Sequence, residues 1–130
     1  MAIKSKLLKL LGTHKPMQAP VLSHDRFVLS YEGLVIGTLS VQDGLWRFQY
    51  SDQFKQTPGL RPLVEFPEVD QIYESKDLWQ FFVSRIPSAE QPEVEQILKR
   101  EKIREDDAVS LLKRFGTRTI SSPFQLESAA

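Results

Sequence analysis

The sequence predicts an α+β fold: a small antiparallel β-sheet or partial barrel of 3–5 strands, followed by about three helices. Three observations point there. From Arg26 to Tyr50 apolar and polar residues alternate with the period of half-buried strands. Asp43-Gly44 lies between two such runs, and a tight type I′ hairpin needs positive φ at both of its central residues. Beyond Ser75 the apolar spacing becomes helical, and strands followed by helices are the signature of α+β architecture.

The elements follow in chain order. Ile3, Leu7, Leu10 and Leu11 recur at helical spacing, with Lys4, Lys6 and Lys9 mostly off that stripe. Gly12 and Pro16 end this short amphipathic segment. It could lie on the domain itself, on a partner or on a membrane surface. His14, Lys15, Pro16, Met17 and Pro20 then give a linker composition. The strand region begins with Phe27, Leu29 and Tyr31 alternating with Arg26, Val28 and Ser30, and Glu32-Gly33 supplies a turn. Val35, Gly37, Leu39 and Val41 are expected to share one face of a second strand. Trp46, Phe48 and Tyr50 line one face of a third.

Pro58, Gly59, Pro62 and Pro67 punctuate the next stretch, with a short edge strand expected at Leu63, Val64 and Phe66. Ser75 is expected to cap a helix over Lys76 to Ile86, with Leu78, Phe81, Phe82 and Ile86 as its apolar stripe and Pro87 as its stop. Ser88 and Pro92 open the next helix, with Val94, Ile97 and Leu98 facing inward. Asp106 or Asp107 caps a third, carrying Val109, Leu111, Leu112 and Phe115, with Gly116 at its end. The organisation is therefore a basic amphipathic segment and linker over 1–24, an α+β domain over 25–116, and an irregular tail over 117–130.

Composition narrows the function. A chain of 130 residues with 41% hydrophobic content is long enough for a core without staples. The absence of cysteine excludes disulfides and thiol-ligated metal. No apolar run approaches the roughly 20 residues that span a bilayer, and lysines interrupt the start too often for a secretory leader. A cytoplasmic protein with no membrane partner is expected. Seventeen basic and seventeen acidic residues balance, which argues against direct nucleic-acid binding. The balance is uneven along the chain: residues 1–24 hold four lysines and no acid.

Catalytic signatures are sparse. The two histidines, His14 and His24, stand apart from any carboxylate cluster and make a poor metal site. No nucleophile elbow, Gly-rich phosphate loop or zinc-protease helix occurs. Glu105, Asp106 and Asp107 could be drawn as a magnesium or general-base site, but acids ahead of a helix more simply favour its positive end. No enzyme activity, cofactor or metal is expected. Trp46, Phe48 and Tyr50 could stack bases on an open barrel, yet only Arg47 is interleaved, so core packing is the better reading. Trp79 sits one residue off the apolar stripe of its helix, where it either rims the core or anchors a partner.

These residues resemble a known family. Gly33-Leu34-Val35-Ile36-Gly37-Thr38-Leu39, then Asp43-Gly44-Leu45-Trp46-Arg47-Phe48-Gln49-Tyr50, is similar to the opening of HipA-type serine/threonine kinases. The likeness continues through Pro58-Gly59-Leu60-Arg61-Pro62-Leu63 and Phe66-Pro67. Trp79 to Pro87 resembles the family's F-F-x-N-L-L-P segment, and Ser110 to Gly116 its closing L-L-x-x-x-G. Two departures stand out. Val64 and Glu65 replace the serines of a P-L-S-x-S-L-P segment, and Ser88-Ala89 replace a Glu-Gly pair.

The kinase's nucleotide cradle, metal ligands and catalytic aspartate have no counterpart in this chain. The resemblance therefore implies a stand-alone N-terminal subdomain of the HipS type, from the three-part HipBST toxin–antitoxin systems. Its implied role is an antitoxin that binds a truncated, HipT-like kinase in trans and blocks or distorts its active site. A HipB-like helix-turn-helix protein is the implied third member of a ternary complex. The partner-binding candidates are Trp79, Phe82, Arg85, Pro62 and Leu63, with Trp79 as a wedge. The alternatives are a small β-barrel adaptor that binds a peptide at an edge strand, and a single-stranded nucleic-acid module.

Overall fold

The computed structural model describes residues 17–20, 24–117 and 122–129. The expected amphipathic segment over residues 3–11 lies outside them. Three antiparallel strands form the expected meander: β1 (Asp25–Tyr31), β2 (Leu34–Gln42) and β3 (Leu45–Tyr50). Both connections are two-residue turns with positive φ throughout, at 48° and 82° for Glu32-Gly33 and 53° and 77° for Asp43-Gly44. That backbone twist matches the twist of the strands it joins.

Two further strands extend the sheet. β4 (Tyr73–Ser75) pairs with β3, and β5 (Phe124–Ser128) pairs with β1, giving the order β4-β3-β2-β1-β5. All pairings are antiparallel and the sheet does not close, so it is an open sheet rather than a barrel. Four helices complete the described structure: α1 (Asp52–Gln56), α2 (Gln80–Val83), α3 (Pro92–Glu101) and α4 (Ala108–Phe115). None is long and apolar enough to cross a membrane.

One face of the sheet carries the core. Phe27, Leu29, Leu39, Trp46 and Phe48 have no exposed surface, and Phe54, Phe82, Ala108, Val109 and Leu112 cover them from the helices. The opposite side of α4 presents Leu111 to Val94 and Leu98 of α3, which makes a small second cluster. α4 is thus apolar on two sides because it lies between two layers. Asp107 caps it: one carboxylate oxygen accepts from Ser110 N–H at 3.2 Å and the other from Ser110 Oγ–H at 2.8 Å. Such a cap contributes about 1 kcal/mol.

The structure departs from the sequence expectations in five places. A bulge at Ile36, between the pairs Leu29–Gly37 and Ser30–Val35, moves Val35 off the inner face and buries Ile36 instead. Leu63, Val64 and Phe66 form a turn rather than a strand, because Leu63 N–H donates to the Tyr50 hydroxyl and Phe66 N–H to Leu63 O. The helix expected over Lys76 to Ile86 is reduced to Gln80–Val83. Residues 17–19 pair with residues 76–78, and Leu78 N–H donates to Met17 O at 2.8 Å instead of entering a helix. Ser75 therefore ends a strand and caps no helix. Residues 124–128, expected to be irregular, form β5 and place Leu126 in the core.

Burial also removes the base-stacking reading. Trp46, Phe48 and Tyr50 face the core at 0–3% exposure, so the third strand offers no aromatic platform to solvent.

Candidate partner-binding surface

The loop over residues 57–72, between α1 and β4, has little regular structure but many anchors. Phe66 is its root. The ring is fully buried, stacks on Phe48 at 4.3 Å between centroids, and meets Tyr73 and Trp79 edge-on at 5.1 and 5.0 Å. Tyr50 holds the backbone on either side of it. The Tyr50 hydroxyl donates to Phe66 O at 2.6 Å and accepts from Leu63 N–H at 2.8 Å. Burial pushes the Tyr50 pKa up, against a smaller opposing effect of the Leu63 N–H. Further along, Tyr73 Oη accepts from Glu68 N–H at 2.7 Å. A Glu65 carboxylate oxygen accepts from Phe81 N–H at 2.8 Å and so satisfies a free donor in the first turn of α2.

This pinned loop displays apolar side chains outward. Leu60, Val64 and Ile72 are the exposed large hydrophobics among the described residues, at 36%, 95% and 54%. Pro58, Pro62 and Pro67 are exposed beside them. A shallow groove of about 140 Å³ adjoins the loop, lined by Tyr31, Ile36, Phe54, Leu60, Arg61, Leu63 and Phe124. An isolated exposed valine is ordinary; three large apolar residues on one anchored loop are a surface feature.

The five candidate residues divide. Trp79 is half-buried, at the N-cap of α2, with one edge against Phe66. Among the described residues nothing accepts from its indole N–H. Pro62 is exposed, and Leu63 is half-buried beside the groove. These three lie on or next to the loop surface. Phe82 does not: it is fully buried between Phe48 and Phe66.

Arg85 is also internal, at 3% exposure. Its Nε donates to Gly116 O at 2.6 Å, and Nη2 donates to Thr117 O and Phe124 O at 3.1 and 2.9 Å. Nη1 reaches Ser122 Oγ at 3.4 Å. Burial pushes its pKa down, yet a guanidinium remains charged in proteins. Arg85 thus braces the return of the chain from α4 into β5, which a contact list read from sequence order does not reveal.

Sequence reading missed Leu60, Val64 and Ile72. A signal was present at one of them: Val64 stands where the resembling kinases carry serine. For the acids, Asp107 caps α4 and Asp106 pairs with Arg104 at 3.1 Å. Among the described residues no group of three or more His, Cys, Asp and Glu side chains is placed to hold a metal ion. His24 is exposed, and His14 lies outside the described residues.

The family model of the HipA N-terminal domain matches residues 28–121. The chain belongs to this family. The match begins within β1 and covers the rest of the meander, the pinned loop and all four helices, and β5 follows after its end. No curated protein matches the chain. Within the HipA N-terminal domain, Gly37 has a clear physical role. A Cβ there would lie 2.5 Å from Gln49 O and 2.8 Å from Phe48 Cζ, so glycine lets the Phe48 ring cross the sheet at that point.

Proposed function

We propose that this HipA N-terminal domain acts by contact alone, docking in trans on a HipT-like serine/threonine kinase and holding it inactive as an antitoxin. In HipA-type kinases such a domain is the front subdomain of the kinase chain, so a complementary surface on the kinase is the natural partner. Separation turns a fixed contact into one set by concentration. Inhibition then requires the docked form to favour an inactive kinase geometry or to occlude its cleft. A HipB-like helix-turn-helix protein completes the proposed assembly.

The observation that carries the proposal is the anchored loop, which exposes Leu60, Val64 and Ile72 and whose buried root Phe66 packs against a half-buried Trp79. Apolar groups on an anchored loop lose little entropy on binding, and an aromatic side chain is a common anchor. Trp79 is assigned the wedge, and Pro62 and Leu63 of the loop are assigned to the same contact. Phe82 supports the surface from inside through Phe66, while Arg85 braces Thr117 and Phe124 elsewhere.

The test is affinity for, and silencing of, a HipT-like kinase by Val64→Asp and Trp79→Ala proteins. Val64→Asp leaves the fold intact, since the side chain is 95% exposed. Its expected effect is a loss of affinity of about 10- to 100-fold, the result of placing a charge in an apolar contact. Trp79→Ala is expected to release kinase activity. If both variants bind and silence like the parent, the surface is misassigned.

A further inference from the structure

The shallow groove beside the pinned loop combines a hydrocarbon lining with two polar side chains. Ile36, Phe54, Leu60, Leu63 and Phe124 supply the apolar part, and Tyr31 and Arg61 supply the rest. At about 140 Å³ the groove is close in size to a cavity of about 150 Å³ that holds one benzene ring. One leucine, isoleucine or phenylalanine side chain fits such a space. Leu60 also belongs to the exposed apolar set that includes Val64 and Ile72, so it ties the groove to the loop surface.

Neither polar side chain is used within the domain. Arg61 is exposed, and among the described residues no carboxylate, carbonyl or ring engages its guanidinium. Other cations near the sheet are paired: Arg47 with Glu74, Lys55 with Asp70 and Lys113 with Asp25. The Tyr31 ring packs 5.4 Å from that of Phe124, while its hydroxyl bonds to nothing among the described residues. A guanidinium only donates, and a phenol hydroxyl can donate. No acid lines the groove, so no carboxylate there competes for them. The complement of this arrangement is a carboxylate beside an apolar side chain.

We infer that the groove receives a segment of the kinase in which a large apolar residue stands within a few positions of an Asp or Glu. The apolar side chain fills the space between Leu60, Leu63 and Phe124, and the acid accepts from Arg61, with the Tyr31 hydroxyl as a second donor. The inference rests on the kinase-docking reading and specifies its chemistry: the apolar loop supplies contact area, and Arg61 supplies selection for an acidic sequence. An arginine serves this better than a lysine because its planar fork meets both oxygens of a carboxylate.

The experiment titrates the isotope-labelled full chain with short overlapping peptides that span a HipT-like kinase. A peptide carrying an apolar residue near Asp or Glu is expected to shift the amide signals of Ile36, Leu60, Leu63 and Phe124. Replacing its acid with the amide is expected to weaken binding about 3- to 10-fold. Arg61→Glu keeps the fold, because the side chain is exposed. This variant is expected to bind a lysine-substituted peptide more tightly than the acidic one, whereas Leu60→Ser weakens both. Shifts absent from the groove, or indifferent to peptide charge, overturn the inference. Equal shifts with benzoate alone overturn it too, since the groove then selects a small carboxylate. So do shifts that grow with the concentration of the chain by itself, which mean occupation by a second copy. The kinase-docking reading fails separately. A groove that ignores every peptide in a chain that still silences the kinase sinks this inference alone. Charge-dependent peptide binding by a chain that neither binds nor silences the intact kinase supports the groove and sinks the docking reading.

Discussion

Replacing Arg85 with methionine isolates the contribution of one buried guanidinium. Methionine keeps an unbranched apolar stem of similar reach and removes the fork. The carbonyls of Gly116, Thr117 and Phe124 then lose their donors at 2.6, 3.1 and 2.9 Å. The 3.4 Å contact to Ser122 Oγ is long and contributes little. Bonds to a charged group contribute roughly 1.5–3 kcal/mol each, so three account for about 5–9 kcal/mol before opposing effects. Two effects reduce the sum. The variant no longer buries a charge, which recovers several kcal/mol. Gly116 is buried, but Thr117 and Phe124 are half-buried, so their carbonyls rehydrate in part. The expected net loss is about 2–4 kcal/mol. At about 3–5 °C per kcal/mol for a domain of this size, Tm falls by roughly 6–20 °C. Urea unfolding followed by circular dichroism measures the loss. Amide exchange places it, since Leu126 N–H to Thr117 O and Ala129 N–H to Arg26 O should lose protection first. Arg85→Lys keeps the charge but cannot span three acceptors, and is expected to recover less than half of the loss. A loss below about 0.5 kcal/mol for Arg85→Met, or a lysine variant as stable as the parent, would refute the brace.

Two further substitutions test the sheet and the loop. Gly37→Ala places a methyl 2.5 Å from a backbone oxygen that is fixed by strand pairing, and is expected to cost about 1–3 kcal/mol in urea unfolding. Tyr50→Phe leaves the ring in place but frees Leu63 N–H and Phe66 O, with an expected cost of about 1–3 kcal/mol and faster amide exchange at Leu63. The same hydroxyl governs alkaline stability. Because its pKa is raised in the folded state, the unfolded chain ionises first, so stability falls as pH rises above the ordinary value of 10.0. That fall should be smaller in Tyr50→Phe, as read from urea midpoints between pH 9 and 11 (about one unit either side of the ordinary value).

The sequence by itself determined the local geometry wherever short-range chemistry decides it. Asp43-Gly44 specifies its hairpin because only a few residue types tolerate two consecutive positive φ angles, and Gly33 supplies the second such position of the Glu32-Gly33 turn. The alternation over Trp46, Phe48 and Tyr50 marked the inner face of β3, Gly116 marked the end of α4, and the Asp106-Asp107 pair marked its start, where Asp107 is the cap. The order of motifs from Gly33 to Gly116 was enough to point to the family.

Tertiary structure decided what depends on distant partners. Lys76 to Trp79 carry a helical pattern, yet residues 17–19 take their hydrogen bonds and shorten α2. Phe124 to Ser128 look like tail until β1 offers an edge and Arg85 donates to Phe124 O. Arg85 and Val64 invert the usual expectation for a charged and an apolar side chain. The arginine is buried because three carbonyls converge on it, and the valine is exposed because Tyr50 and Phe66 hold its loop outward. Neither outcome is written in local propensity, because each is set by groups many residues away.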